Sequence, residues 1–104
     1  MQVKVQIEGI RQANTLPDYV ERTARLAFGS LSERTHFVHV KLSHSRDSLL
    51  ETCCHVSVGL KTSGHVCVDD VGVDFVVLVR DALHHAATKA RSKLRQLDTA
   101  VVRV

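Results

Sequence analysis

The stretch CHVSVGLKTSGHVCV, residues 54–68, decides the fold of this chain. Apolar residues alternate with polar or small ones on both sides of a KTSG turn, a pattern typical of a β-hairpin with one buried face. A three-residue turn that ends at Gly64, with this glycine in the left-handed region, predicts that Leu60 lies opposite Val66. In this register the valines of both strands share one face, whereas a one-residue slip would turn histidine and cysteine inward.

Two earlier segments, residues 3–7 and 36–43, alternate in the same way and predict two further strands. Between them Thr15 is typical of a helix N-cap, and apolar residues at three- and four-residue spacing follow as far as Leu31. A second, longer helix is predicted over residues 73–97 by the same spacing. The predicted element order is therefore β-α-β-β-β-α.

This order predicts an α+β fold in which a four-stranded sheet carries both helices on one face. The first two strands are expected to be parallel because a right-handed crossover helix joins them, and the remaining pairs antiparallel. With 104 residues the chain has room for one domain, which we assign to residues 1–98. Residues 99–104 form a C-terminal tail, for which a short strand, a partner-binding edge and a frayed end are all open.

Composition excludes several classes of protein. Aromatic residues make up 4% of the chain, with no tryptophan, which argues against a platform for stacking nucleic-acid bases. No apolar run approaches the roughly 20 residues that cross a bilayer, so no membrane partner is expected. An odd number of cysteines without a signal peptide indicates a reduced, cytoplasmic setting.

The three cysteines and seven histidines do not have the spacing of a metal site. Cys53 and Cys54 are adjacent in a strand and must point to opposite faces. His55 and Cys67 are predicted to be about four strand positions apart, too far to share an ion. We also interpret Asp69, Asp70 and Asp74 as turn and helix-capping residues rather than as paired catalytic carboxylates. The sequence therefore predicts a protein that is not an enzyme and has no metal, cofactor or small-molecule substrate.

Positive charge is concentrated in the last helix. The net charge is +3, yet residues 84–97 contain four basic residues, two histidines and no acid. Such a strip suits phosphates, although a solubilising face whose cations match the helix dipole is an equally good interpretation of the pattern alone. The candidate phosphate-binding residues, on this helix and on the first one, are Arg22, Arg25, Arg80, His85, Lys89, Arg91, Lys93 and Arg95.

Several segments in this order resemble the ribosome hibernation factor family, also called the sigma-54 modulation or ribosome-associated inhibitor family. They are MQVKVQIEG, LPDYVERTARLAFGSLSER, VHVKLSHS, the hairpin, and Asp74 leading into RDAL and SKLRQL, and they span about residues 1–97. The resemblance implies a fold similar to double-stranded RNA binding domains. It also implies binding to the small ribosomal subunit and its rRNA, in the mRNA and tRNA channel, and silencing of translation in stationary phase or stress.

The chain departs from the family in its second helix, where the usual Leu-x-Arg-x-Leu core is replaced by AATKA at residues 86–90. His85, Thr88 and Ser92 occupy expected basic positions, so the charge is displaced and docking is expected to be weaker or rotated. The chain resembles a short form without the dimerisation domain of long members. The alternative is a protein-interaction module of the same fold that has lost the ribosome and assembles through its hydrophobic tail, so a homodimer is left open.

Overall fold

Four strands form one sheet in the computed structural model, and two helices cover one of its faces. The structure describes residues 1–10, 15–44, 50–62 and 64–102, the last five as helix backbone only. The elements are β1 Gln2–Ile7, α1 Leu16–Ala27, a 3₁₀ helix Gly29–Arg34, β2 Thr35–His44, β3 Thr52–Leu60, β4 His65–Gly72 and α2 Phe75–Val102. The predicted α+β class and the β-α-β-β-β-α order are confirmed.

The strands lie in the order β1-β2-β3-β4. β1 is parallel to β2, and the other two pairs are antiparallel, as predicted from the crossover helix. One row across the sheet consists of Val3, Val38, Val58 and Val66, each opposite the next. These β-branched residues provide the flat apolar surface on which the helices pack.

The predicted register of the hairpin is wrong. Val66 lies opposite Val58 rather than Leu60, and Gly59 lies opposite His65. The Leu60 backbone N–H donates to the Gly64 carbonyl at 3.1 Å, so the turn comes one residue earlier on each strand than predicted. The faces are still as predicted, because a residue's partner changes by two positions and side chains alternate with a period of two.

The core lies between the sheet and the two helices. On β2 the inward residues Val38, Val40 and Leu42 are fully buried, as their alternation predicted. On α2 alanines recur every four residues along the buried face and let this helix approach the sheet closely. The buried residues of the helices are Val20, Ala24, Leu78, Val79, Ala82, Leu83, Ala86, Ala87, Ala90 and Leu94.

The two helices begin differently. Thr15 was predicted as an N-cap, but its backbone is helical, with φ −85° and ψ −11°, and its side chain makes no capping hydrogen bond. Its carbonyl instead accepts from the Tyr19 N–H at 3.0 Å. At α2, Asp74 Oδ1 accepts from the backbone N–H groups of Val76 and Val77, at 2.9 and 3.3 Å. The predicted capping role of Asp74 is confirmed, and Thr15 lies at the predicted N-cap position of α1 but does not cap the helix with its side chain.

Helix ends also differ from the predictions. The first predicted helix is divided, because α1 ends at Ala27 and a 3₁₀ helix continues the chain into β2. α2 extends through Val102, so residues 99–102 of the assigned tail are helical rather than a strand. β2 extends to His44, one residue beyond the predicted strand, while residues 45–49 and residues 103–104 of the tail lie outside the described residues.

Asp69 and Asp70, predicted as turn residues, lie inside β4. Each carboxylate is accommodated in the strand by a histidine. His55 Nδ1 lies 2.6 Å from Asp69 Oδ1 on the neighbouring strand, and His85 Nδ1 lies 3.0 Å from Asp70 Oδ2 on α2. The strand therefore continues through residues that usually disfavour it.

Candidate nucleic-acid interface

The second half of α2 lies along the edge of the sheet formed by β4. Lys89 Nζ donates to the Cys67 carbonyl at 3.4 Å, and the Lys93 side chain lies against Gly64. His85 also contacts Asp70. Residues further along the helix therefore contact residues that come earlier in the strand. α2 is therefore antiparallel to β4, and one side of the helix faces the sheet edge.

This orientation divides the predicted RNA-binding residues of α2 between two sides of the helix. His85, Lys89 and Lys93 recur every four residues and face the β4 edge. Because successive helical residues are rotated by about 100°, Arg91 and Arg95 lie on the outer side. Arg80 and His84 share this outer side by the same rotation. A ligand that contacts both sets must reach around the helix.

The two basic residues of α1 lie level with the first half of α2. Both helices run in the same direction, and the Tyr19 hydroxyl donates to the Val76 carbonyl at 3.1 Å. At about 1.5 Å per residue, Arg25 lies about 9 Å along α1 from that contact, whereas Arg91 lies about 22 Å along α2. Arg22 and Arg25 are therefore level with Arg80 and not with Arg91. The candidate residues are therefore staggered along the two helices, and those on the second half of α2 lie beyond the end of α1.

Neighbouring carboxylates compensate part of this charge. Arg25 pairs with Glu21 at 3.1 Å, and Arg80 lies 3.7 Å from Asp81. In the described part of the chain, no carboxylate lies within ion-pair distance of Lys89, Arg91 or Lys93. Uncompensated positive charge is thus concentrated in the second half of α2.

A groove of about 360 Å³ lies between β4 and the second half of α2. The ammonium groups of Lys89 and Lys93 share its lining with polar side chains that carry no charge. Lysine, hydroxyl and amide groups are the types that contact phosphate oxygens in nucleic-acid complexes. The uncharged polar residues are Thr88, Ser92 and Gln96. The sequence reasoning missed them as a group, although they recur every four residues beside the two lysines.

The described residues contain no group of three or more His, Cys, Asp or Glu side chains placed to hold a metal ion. The predicted separation of His55 and Cys67 was wrong, because it was based on the incorrect hairpin register. Cys67 lies opposite Ser57, so His55 and Cys67 are diagonal neighbours on the open face of the sheet. His55 is instead paired with Asp69, while His65 Nε2 lies 2.7 Å from Ser57 Oγ.

Cys54 is a buried core residue, as its position in the alternating pattern predicted. Burial raises the pKa of its thiol to about 12, and the negative charges of Asp70 and Asp69 act in the same direction. The thiol is therefore protonated at neutral pH and is not a nucleophile.

In the described part of the chain, no helix has the length and apolar character needed to cross a membrane.

No protein-family model and no curated protein sequence matches this chain. Among solved structures, it is similar to a ribosomal subunit interface protein from Coxiella burnetii. The TM-score is 0.74 at 14% identity, over 90% of this chain and 99% of the other. The fold is that of the ribosomal subunit interface proteins.

The N-terminal domain of Protein Y from Thermus thermophilus has the same fold. Its TM-score is 0.68 at 19% identity, over 86% of this chain and 94% of that domain. At such identities the likeness establishes the architecture only. The resemblance seen in the sequence is therefore confirmed at the level of the fold.

Proposed function

We propose that this protein is a ribosome-associated regulator that binds the small ribosomal subunit and silences translation under stress or in stationary phase. The observation that carries the proposal is the uncompensated positive charge on the second half of α2, beside a groove lined by hydroxyl and amide groups. The fold shared with ribosomal subunit interface proteins supports the same function.

In this proposal the cations neutralise phosphates of rRNA in the mRNA and tRNA channel and do not read bases. The helix presents them rigidly, because Ala90 and Leu94, on the face between these two sides, are buried in the core. Arg91 and Arg95 contact one stretch of the RNA backbone, and Lys89 and Lys93 contact a second one at the groove. Translation is silenced because the channel is occupied.

The remaining candidate residues have secondary roles. Arg22 extends the positive surface along α1, while Arg25 and Arg80 contribute less because each has a carboxylate nearby. His85 contacts Asp70, so its imidazole is directed towards the sheet edge rather than towards an external phosphate. We propose that the protein acts in the cytoplasm by binding alone, without a cofactor or a small-molecule substrate.

Co-sedimentation with small ribosomal subunits tests the proposal. The Lys89→Glu, Arg91→Glu, Lys93→Glu, Arg95→Glu variant should no longer sediment with the subunit. A matched comparison uses the Arg91→Glu, Arg95→Glu pair against Lys4→Glu, Lys41→Glu on the opposite face of the sheet. The first pair should weaken sedimentation strongly, and the second should leave it nearly unchanged. Unchanged sedimentation of the fourfold variant would refute the proposal.

The alternative is a protein-interaction module that has lost the ribosome. One feature that favoured it, the alanine-rich stretch of α2, is buried against the protein's own sheet at Ala86, Ala87 and Ala90. The hydrophobic tail remains its support. Deletion of residues 99–104 followed by mass measurement in solution separates the two functions, because a tail-mediated assembly would dissociate and a ribosome binder would not change.

A further inference from the structure

We infer that the outer edge of β4 around Asp69 and Val71, with the groove beside it, binds an extended segment of a partner protein in which basic and apolar residues alternate. This site is separate from the proposed RNA-binding surface. It lies near the start of α2, whereas the uncompensated cations lie on the second half of that helix.

The first observation is an uncovered backbone edge. Gly64 accepts a hydrogen bond from Leu60, so the even-numbered residues of β4 direct their backbone groups towards β3. Cys67, Asp69 and Val71 direct theirs outward, since β4 is an edge strand. Lys89 covers the Cys67 carbonyl. Within the described residues, no hydrogen bond covers the outward backbone groups of Asp69 and Val71. An edge of this kind is a template for a further strand.

The second observation is a groove next to this edge. It has a volume of about 410 Å³ and lies between the end of β4 and the first turns of α2. Its lining includes the carboxylates of Asp70, Asp74 and Asp81, the imidazole of His85, which contacts Asp70, and the apolar side chains of Val77 and Leu78. A lysine or arginine side chain fits this combination, because its stem packs on apolar surface while its charged end meets a carboxylate.

The third observation is an exposed apolar patch at the same end of the molecule. Val71 and Val73 are 54% and 67% exposed and Val77 is 40% exposed, and all three line this groove. Monomeric proteins seldom leave several neighbouring valines in water, so a patch rimmed by charge marks an interaction site.

Strand geometry joins these observations into one site. On β4, Asp70 faces the helices, and Asp69 and Val71 face the open side of the sheet. A peptide paired with this edge sends every second side chain towards the groove and the others towards Val71. Basic residues suit the first set of positions and apolar residues the second.

Charge also decides against a two-fold pairing of β4 with β4 of a second copy. Pairing of β4 with another β4 would bring the Asp69 and Asp70 carboxylates of both copies close together, and like charges across paired strands are destabilising. Phosphates are disfavoured for the same reason. The chemistry therefore favours a basic segment of a different protein.

Fluorescence anisotropy with a labelled nine-residue peptide that alternates valine and lysine tests the inference. A peptide of the same composition with all valines first should bind at least tenfold more weakly. So should an alternating peptide whose edge-facing amides are N-methylated, because it keeps the side chains but loses the backbone hydrogen bonds. Equal binding by either control would overturn strand addition in favour of nonspecific attraction.

Protein variants locate the site. Val71→Pro should abolish binding while the protein stays folded, because the N–H that proline removes points outward from an edge strand. The double variant Asp70→Asn, Asp81→Asn should bind the peptide at least tenfold more weakly. The remote double variant Glu21→Gln, Glu33→Gln should bind it as the unmodified protein does.

Two further results separate this inference from the alternatives. Arg91→Glu, Arg95→Glu should leave peptide binding intact, so failure of the ribosome proposal would not remove this site. Self-association of the unmodified chain that Val71→Pro abolishes would identify a second copy as the occupant and refute the inference.

Discussion

The aromatic ring of Phe37 lies over Gly59, its cross-strand partner, on the face of the sheet opposite the helices. A Cβ atom at Gly59 would overlap this ring, so the absence of a side chain there lets the ring lie against β3. The ring in turn covers backbone that a central-strand glycine would otherwise expose. The two residues form a single packing unit.

Gly59→Ala should therefore lower the free energy of unfolding by about 1–3 kcal/mol, the usual effect of overpacking. The cost should vanish in a Phe37→Ala background, because the overlapping ring is then gone. Gly29→Ala is the matched control, since a Cβ there meets no atom within 4 Å and should be neutral. Urea denaturation of the four variants measures all these values. Equal effects of Gly59→Ala in both backgrounds would contradict the packing unit.

Alanine substitutions at the first residues of the two helices should lower the free energy of unfolding by different amounts. Asp74→Ala should lower the free energy of unfolding by about 1 kcal/mol, because it removes the acceptor for two backbone N–H groups of α2. Thr15→Ala should cost much less, since the Thr15 side chain caps nothing. Thermal or urea unfolding of both variants provides the comparison, and a larger loss for Thr15→Ala would contradict the assigned caps.

The raised pKa of the Cys54 thiol predicts that the protein loses stability at high pH. The thiol ionises near its ordinary pKa of 9.0 when the chain is unfolded, but near 12 when it is folded. Between these values the unfolded state binds fewer protons, so stability falls as pH rises, by at most about 1.4 kcal/mol per pH unit. Below pH 9 the contribution is constant.

Unfolding free energies from pH 8 to 11 measure this slope. Cys54→Ala should make it shallower, and Cys67→Ala, at an exposed thiol, should not. Identical slopes in the native protein and Cys54→Ala would show that other groups dominate in this range.

Salt dependence distinguishes cations with a carboxylate partner from those without one. If Arg91 contacts a phosphate, Arg91→Gln should reduce the slope of log K against log salt for small-subunit binding by about 1. Arg25→Gln should change it less, because Arg25 is paired with Glu21. Binding to purified subunits at several salt concentrations supplies both slopes, and a larger change for Arg25→Gln would reverse the ranking of the two sites.

The sequence predicted the face of the sheet on which each side chain lies better than it predicted which residues are paired across strands. Alternation on β2 identified Val38 and Val40 as buried, because a period of two assigns each residue to one side of the sheet. The hairpin register was wrong because shifting a partner by two positions keeps every side chain on the same face. Only the turn geometry at Gly64 distinguishes the two registers.

In the candidate site, features that depend on one segment of the chain were predictable, and features that depend on contacts between distant segments were not. The concentration of charge on the last helix was evident from residue types alone. Its separation into an edge side, with Lys89, and an outer side, with Arg91, depends on how α2 is rotated against β4. That rotation is fixed by contacts between residues more than 20 positions apart, such as Lys89 with Cys67. Asp70 was misassigned for the same reason, because its partner His85 is on another element.

Acidic groups gather at the start of α2 and basic groups on its second half, and α2 is 28 residues long. Charges of opposite sign separated over tens of ångströms give the whole molecule a large electric dipole moment. In the field of a polyanion such a molecule rotates before it touches, with the end of α2 leading. Productive encounters should therefore be more frequent than random collision allows, and this advantage should disappear as salt screens the field.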